Sequence, residues 1–411
     1  MFRCVTQLKG IIVDVDSFPD IVVSRWSNLS LMFKCVFITS DEQTQRLLSE
    51  IYKEDSVLFI PDFFRFFVPN SKLHTKVLDR LNLKTMEVAY VSSDKRFIDN
   101  ALGFFSGTIW VTESVSYREA SSAPDLVCKN VDILEQLLQK NVGGYLGEVY
   151  IDPLTNSSGI IMPVKFEVDD NSYLLFMLGR YFGNSHYMNQ LHPYSSAVYL
   201  NKKEGKAFGI FDREFYSLYK SVIESVKKRH RVDCICAVPA RPGKQNRFES
   251  IVEDLSSFFD IENLTSSFVC TQDYPIQKSL SSMEREENVK DVFDINEDLQ
   301  GKNIVIIDDI ITTGATIKEC VRTLINKGAE DVFIIVLGIN QIGNYWSSNE
   351  VKVKCPKCGE KMYVLVNSNN KSFFYSCGNC RSSLNYDVGI RSIQDIVDKD
   401  VTRDDDEDSL L

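Results

Sequence analysis

Short apolar, β-branched runs alternate with segments of helical period along much of the chain. The run Ile11–Val13 predicts a buried strand that delivers Asp14 and Asp16 at its end. The run KCVFITS predicts a second strand ending in Thr39 and Ser40, and VLFIPDFF follows. A helical period begins at Lys72 and runs to about Leu83. MEVAYVSSD then predicts a strand ending at Asp94, with Asp99 five positions on. GTIWVT is a further strand, and APDLVCKNVDILEQLLQK gives a strand and a helix. Strands alternating with helices predict a doubly wound α/β sheet over residues 1–142, with carboxylates from several strand ends converging on one crevice.

Gly143 and Gly144 read as a linker. Residues 145–212 are rich in aromatic and β-branched residues and in turns, which predicts short strands and hairpins. His186 and His192 lie there without a metal-type spacing and are read as surface or structural. FYSLYKSVIESVKKRH is an amphipathic helix with basic residues at its end, as the helix dipole favours, and VDCICAVP is a buried strand. Ile304–Ile307 predict another buried strand, and IKECVRTLINKGA a helix capped by Gly328. Near the end, MYVLVN and SFFYSC alternate as two strands joined by SNNK. The tail 399–411, with VTRDDDEDSLL, is acidic and expected to be disordered.

Composition narrows the class. A chain of 411 residues holds two or three domains, and 44% hydrophobic with 25% charged residues is ordinary for a globular protein. The net charge of −11 argues against broad electrostatic binding to nucleic acid. The N-terminus lacks the apolar core of a signal peptide, and no apolar stretch approaches the about 20 residues that cross a bilayer. A cytoplasmic protein with no membrane partner is expected. Eleven cysteines then suggest thiols and metal ligation rather than disulfides.

The densest chemistry is NIVIIDDIITTGAT, residues 303–316. A strand ends in two carboxylates, Asp308 and Asp309. A small, hydroxyl-rich loop of Thr312, Thr313, Gly314, Ala315 and Thr316 leads into a helix. Such a loop aims N–H groups and a helix dipole at one spot, which suits a phosphate, while two carboxylates can accept hydrogen bonds from vicinal hydroxyls. A ribose 5-phosphate satisfies both. Upstream, ARPGKQNRF clusters Arg241, Lys244 and Arg247 at a strand end, where a basic loop can hold pyrophosphate.

The run at 303–316 resembles the phosphoribosyl pyrophosphate (PRPP) signature of type I phosphoribosyltransferases. The resemblance implies that Asp308 and Asp309 hold the ribose hydroxyls and that Thr312–Thr316 wrap the 5-phosphate. The pattern Gln277, Leu280, Glu284-Arg285, Asn288 and Phe293 resembles the ComF-type subfamily over about residues 215–340, which adds Arg285 to the implied PRPP contacts. ARPGKQNRF departs from that subfamily's arginine-rich loop.

The order of features in residues 1–142 resembles the haloacid dehalogenase (HAD) superfamily. That resemblance implies Asp14 as nucleophile, Asp16 as acid/base, Thr39 or Ser40 as the second motif, Lys72 as the third, and a Mg²⁺ site of Asp14, Asp16, Asp94 and Asp99. Phe18 and Ser93 depart from the usual motif residues.

Cys355, Cys358, Cys377 and Cys380 form two C-x₂-C pairs enclosing 18 residues, the spacing of a four-thiolate structural zinc ribbon. The expected architecture is therefore an α/β chain with a HAD-like domain at 1–142. A phosphoribosyltransferase domain follows at 143–340, with a β-rich part at 143–212 and a PRPP-binding core at 213–340. A zinc ribbon closes it at 341–398. The expected activity is transfer between PRPP and a nitrogenous base or nucleotide with Mg²⁺, Asp309 among the catalytic groups, and a fused phosphatase or scaffold domain. The rivals are a PRPP or nucleotide sensor without turnover and a protein that docks nucleic acid through the ribbon.

Overall fold

The computed structural model describes residues 8–183, 186–202, 208–274, 282–342 and 352–400. Gln277, Leu280 and the acidic tail lie outside them.

The first sheet joins β1 (Gly10–Asp14), β2 (Lys34–Thr39), β3 (Val57–Phe59), β4 (Val88–Ser92), β5 (Gly107–Val111) and β6 (Leu126–Cys128). Its order is β3-β2-β1-β4-β5-β6, and all its pairings are parallel. Every residue of β1, β4 and β5 is buried, which explains their continuous rather than alternating apolar runs. The helices are α1 (Ser27–Met32), α2 (Glu42–Tyr52), α3 (Ser71–Leu81), α4 (Lys95–Ala101), α5 (Tyr117–Ala120) and α6 (Val131–Gln139). The doubly wound sheet expected for 1–142 is present. Because β1 and β4 are neighbours, Asp14 and Asp94 reach the same edge.

Gly143-Gly144 is not a linker. Residues Val142–Tyr145 form β7, paired with β8 (Ser158–Ile160), and α7 (Leu146–Ile151) follows β7. A Cβ at Gly159 would sit 2.6 Å from the Leu146 backbone, so glycine here serves close chain approach. The hairpin of β9 (Met162–Val168) and β10 (Asn171–Tyr181) matches the expectation for this region. The stretch SSAVYLNK does not: it lies in α8 (Pro193–Lys202). Six consecutive residues, Pro193–Val198, are buried there, so no helical period is visible in the sequence.

The second sheet runs β12-β11-β15-β16-β10-β9. It uses β11 (Cys234–Ala237), β12 (Glu262–Asn263), β15 (Asn303–Ile311) and β16 (Asp331–Asn340), while β13 (Phe268–Cys270) pairs with β14 (Phe293–Ile295) separately. The β9–β10 hairpin thus extends the core sheet through β16. Flanking helices are α9 (Asp212–Lys227), α10 (Glu249–Phe259), α11 (Ser282–Asn288) and α12 (Ala315–Asn326). A three-stranded ribbon, β17 (Met362–Val366), β18 (Phe373–Cys377) and β19 (Ser383–Asn385), ends in α13 (Tyr386–Asp400). Among the described residues no helix is long and apolar enough to cross a membrane.

The three segments share cores. Trp110 and Val115 pack in one apolar cluster with Phe166 and Ile311. Met362, Phe373, Tyr375 and Ile393 of the ribbon pack in another with Phe211, Phe215 and Leu337. A buried ion cluster ties the two sheets: Arg180 on β10 reaches Asp125 at 2.9 Å and Glu148 at 2.8 Å.

Candidate active site

The strand that carries the acidic pair is longer than its apolar run suggests. β15 continues through Asp308 and Asp309 to Ile311, in register with β16. Thr312 and Thr313 leave the sheet, and Gly314 turns the chain at φ +84° to start α12. A Cβ at Gly314 would meet the Phe166 ring at 3.0 Å, so both the conformation and the space call for glycine. The N-terminus of α12 therefore opens beside the carboxylates.

Both carboxylates face cations. Arg247 forms an ion pair with Asp309 and lies 3.9 Å from Asp308; Lys202, from the end of α8, lies 3.5 Å from Asp309. The hydroxyl of Tyr219 on α9 donates to the Asp308 carbonyl at 2.7 Å. On the other side, the Tyr117 hydroxyl donates to the Thr312 carbonyl at 2.8 Å, so the N-terminal sheet's domain touches the loop. The loop after β11 turns at Arg241-Pro242-Gly243-Lys244, where the Lys244 amide donates to the Arg241 carbonyl at 3.0 Å and Gly243 has φ +75°. Proline then glycine in the middle of a turn suits that geometry. A cleft of about 750 Å³ opens between these parts, lined by Lys202, Phe208, Arg241, Lys244, Arg247 and Asp308 among others. Four cations around one carboxylate floor suit a diphosphate bound next to a diol. Arg285 sits on α11, outside that lining.

Burial and the neighbouring Asp309 charge push the Asp308 carboxyl up to about 7. Burial acts upward on Asp309 too, but Arg247 and Lys202 outweigh it and hold that carboxyl below the usual range. Only the ionised form of Asp308 is a pure acceptor for a hydroxyl. Affinity for a ribose 5-phosphate ligand should therefore rise as pH goes from 6 to 8, and Asp308→Asn should flatten that rise; titration calorimetry at several pH values checks it.

Residues 264–365 match the phosphoribosyl transferase domain model. The match covers β15, the acidic pair and the loop, and it ends inside the ribbon. Competence protein F of Haemophilus influenzae is 26% identical over 132 residues, spanning 29% of this chain and 58% of that protein. The DNA utilization protein YhgH of Escherichia coli K12 is 30% identical over 87 residues, 21% of this chain and 38% of the relative. A uracil phosphoribosyltransferase of Paenarthrobacter aurescens is 30% identical over 96 residues, 20% of this chain and 46% of the relative. The chain thus spans about two-fifths to three-fifths of the length of these three relatives. The match at 264–365 and the similarity to competence protein F agree with the resemblance read from the sequence.

The N-terminal carboxylates are arranged differently from the expected Mg²⁺ pocket. Asp14 is fully buried at the end of β1 and accepts from the Ser92 hydroxyl at 2.7 Å. Asp16 accepts from the Ser40 amide and hydroxyl, both at 2.7 Å, and from the Thr39 hydroxyl. Arg65 bridges the two, reaching Asp14 at 2.6 Å and pairing with Asp16. Lys72, the expected cation, is exposed on α3. Asp94 caps α4 and pairs with Arg96 at 3.1 Å, and Asp99 pairs with Lys95 and accepts from the Ser122 hydroxyl at 2.7 Å. Among the described residues these four carboxylates do not gather into one ligand cluster.

The four cysteines do gather. Their sulfur atoms lie within 4.8 Å of one another, with Cys355–Cys380 and Cys358–Cys377 both at 3.5 Å. Tetrahedral zinc–sulfur bonds of about 2.3 Å put sulfurs about 3.8 Å apart, so the set fits zinc and leaves no open position. Elemental analysis should find about one zinc per chain, and Cys377→Ser should lose it. Zinc content unchanged by that substitution would contradict the assignment.

Sequence reasoning missed Lys202, Tyr219, Tyr117 and Arg65 as site residues. Lys202 and Tyr219 sit on helices far along the chain from the motif and carry no local signal. Arg65 stands in a six-residue turn, Asp62–Phe67, with four phenylalanines that draw the eye to packing instead.

Proposed function

We propose that this chain is a PRPP-dependent phosphoribosyltransferase. The observation that carries the reading is the acidic pair of β15, set beside the Gly314 turn and faced by Arg247 and Lys202 across a cleft of about 750 Å³. Asp308 and Asp309 accept the ribose hydroxyls, displacing the resting contacts of Arg247 and Lys202. Loop N–H groups from Thr312 to Thr316 take the 5-phosphate. Arg241 and Lys244 then face the pyrophosphate, joined by the two released cations. Magnesium comes with the substrate, held chiefly by its phosphates.

In the reaction the C1–oxygen bond to pyrophosphate breaks and its electron pair leaves with pyrophosphate. A ring nitrogen of the base forms the new C1–N bond, and its proton passes to solvent. The intervening carbon is oxocarbenium-like, as in other glycosyl transfers. The carboxylates lie where they can stabilise that positive charge electrostatically. The uracil phosphoribosyltransferase relative supports a nitrogenous base as acceptor without identifying it. Base-dependent release of pyrophosphate from PRPP, measured over a panel of bases, tests the activity. PRPP binding without any release would favour the sensor reading.

For the N-terminal domain we favour a scaffold over a phosphatase. Arg65 already neutralises Asp14 and Asp16, and Tyr117 from the same domain supports the loop at Thr312. Hydrolysis of a phosphate ester that disappears in Asp14→Asn would overturn this. The competence and DNA-utilization names of the relatives support testing the ribbon for nucleic acid as well. Its exposed Lys354, Lys357, Lys361 and Arg381 should then give salt-dependent affinity.

A further inference from the structure

The ribbon is not an appendage. Its β18 begins at Phe373 and ends at Cys377, one of the four thiolates. Phe373 stacks on Phe211 with ring centroids 6.0 Å apart and planes 16° apart. Phe211 is the residue that caps the start of α9. At the ribbon's turn, Lys371 reaches both carboxylate oxygens of Glu214, at 2.6 and 2.7 Å, one turn into that helix. From there α9 leads to Tyr219, whose hydroxyl holds the Asp308 carbonyl. A second branch starts at the same point: the Phe211 amide donates to the Asn201 side chain at 2.6 Å, and Asn201 donates to Asp212 at 2.8 Å. Asn201 precedes Lys202, which faces Asp309. Both α9 and the end of α8 are thus tied to the ribbon at one junction, and both touch the acidic pair.

We propose that the four-cysteine ribbon is a brace for the ribose-phosphate site, so that metal occupancy of the ribbon sets the order of α9 and, through Tyr219 and Lys202, the affinity of Asp308 and Asp309 for ligand. The four thiolates lie at one end of β18 and the Phe373–Phe211 stack at the other. Without metal, the two C-x₂-C turns lose their common cross-link and are left with the β17–β18 pairing and the apolar packing of the ribbon. The strand that presents Phe373 and Lys371 then loosens, and α9 loses a buried aromatic partner and an ion pair. Phe373, Lys371, Phe211 and Glu214 are positioning residues in this arrangement. The proposal rests on the PRPP reading for its functional consequence but not for its structural one.

The test uses the full chain and two readouts: amide hydrogen exchange over residues 208–219, and the dissociation constant for PRPP with Mg²⁺. Removing zinc with a chelator should speed exchange in 208–219 and weaken PRPP binding, while exchange in β1 and β4 stays as it was. Because metal-free protein can unfold more widely, Lys371→Glu supplies a variant that keeps all four cysteines. It should retain zinc, speed the same exchange and weaken PRPP about threefold, the scale of a partly exposed ion pair. The charge-swapped double variant Lys371→Glu/Glu214→Lys should recover both readouts. Unchanged exchange over 208–219 in the metal-free protein, or a swap that recovers neither readout, overturns the proposal. If wild-type protein binds no PRPP, the functional reading fails, and the exchange measurements alone decide the brace.

Discussion

Arg180→Met should cost about 3–5 kcal/mol of stability, enough to remove much of a typical domain's margin. Arg180 is 1% exposed, Asp125 is fully buried, and Glu148 is 2% exposed. The guanidinium satisfies both carboxylates, and Glu148 also accepts from the Arg180 amide at 2.8 Å. Asp125 accepts in addition from the Thr108 amide and hydroxyl, at 2.9 and 2.8 Å. Burial by itself would raise the Glu148 carboxyl, yet Arg180 overrides it and holds the group well below the usual range. Methionine fills the volume but removes the guanidinium that both buried carboxylates share, leaving Asp125 with Thr108 and Glu148 with the backbone amide of residue 180 and His192. The sign with pH follows. In wild type a carboxylate with a depressed pKa adds stability above its unfolded pKa and loses it as pH falls through the folded one. In the variant the same groups are raised by burial, so protonating them relieves the penalty. The stability deficit should be largest near pH 7 and should shrink toward pH 5. Thermal unfolding of both proteins at the two pH values checks this. Equal melting temperatures at pH 7 would mean the cluster contributes nothing to joining the two sheets.

Asp309→Asn should weaken PRPP binding by about one to two decades, since a charge-assisted hydrogen bond is worth roughly 1.5–3 kcal/mol. The substitution also removes the carboxylate that Arg247 and Lys202 face at rest, so their position changes with it. Thr313→Glu should do worse. It places a carboxylate in the loop that opens the N-terminus of α12, against the incoming phosphate and in competition for the same N–H groups. Both variants keep the buried core of β15, so their melting temperatures should stay near wild type. A loss of binding accompanied by a large fall in melting temperature would point to misfolding rather than to lost recognition.

Much of this was legible in the sequence for physical reasons. A parallel strand buried on both faces has to be a continuous apolar run, and GIIVD, VAYVS and GTIWV are such runs. The acidic pair and the small loop are contiguous, so a ribose-phosphate subsite is written in one stretch. Four thiolates need two close pairs, and the spacing shows them. Other features depend on what comes together in three dimensions. The helix α8 hides its period because it is buried all round at its start. Gly143 and Gly144 read as flexible, whereas the chain at β7 is packed closely against its neighbour. Asp14, Asp16 and Asp94 sit just at or after strand ends where a cation site was expected, and Asp99 lies on α4. A sequence cannot tell that Arg65, Arg96 and Lys95 reach them first. Nor does it show that the ribbon shares its core with Phe211 and Phe215.

The measurement closest to the central claim is calorimetric titration of the wild-type chain with PRPP in the presence of Mg²⁺, repeated with Asp309→Asn. The expected result is saturable binding at one site per chain, weakened about ten- to hundredfold by the substitution. No heat of binding at millimolar PRPP, or an Asp309→Asn protein that binds as well as wild type, would contradict the assignment of this cleft to a ribose phosphate.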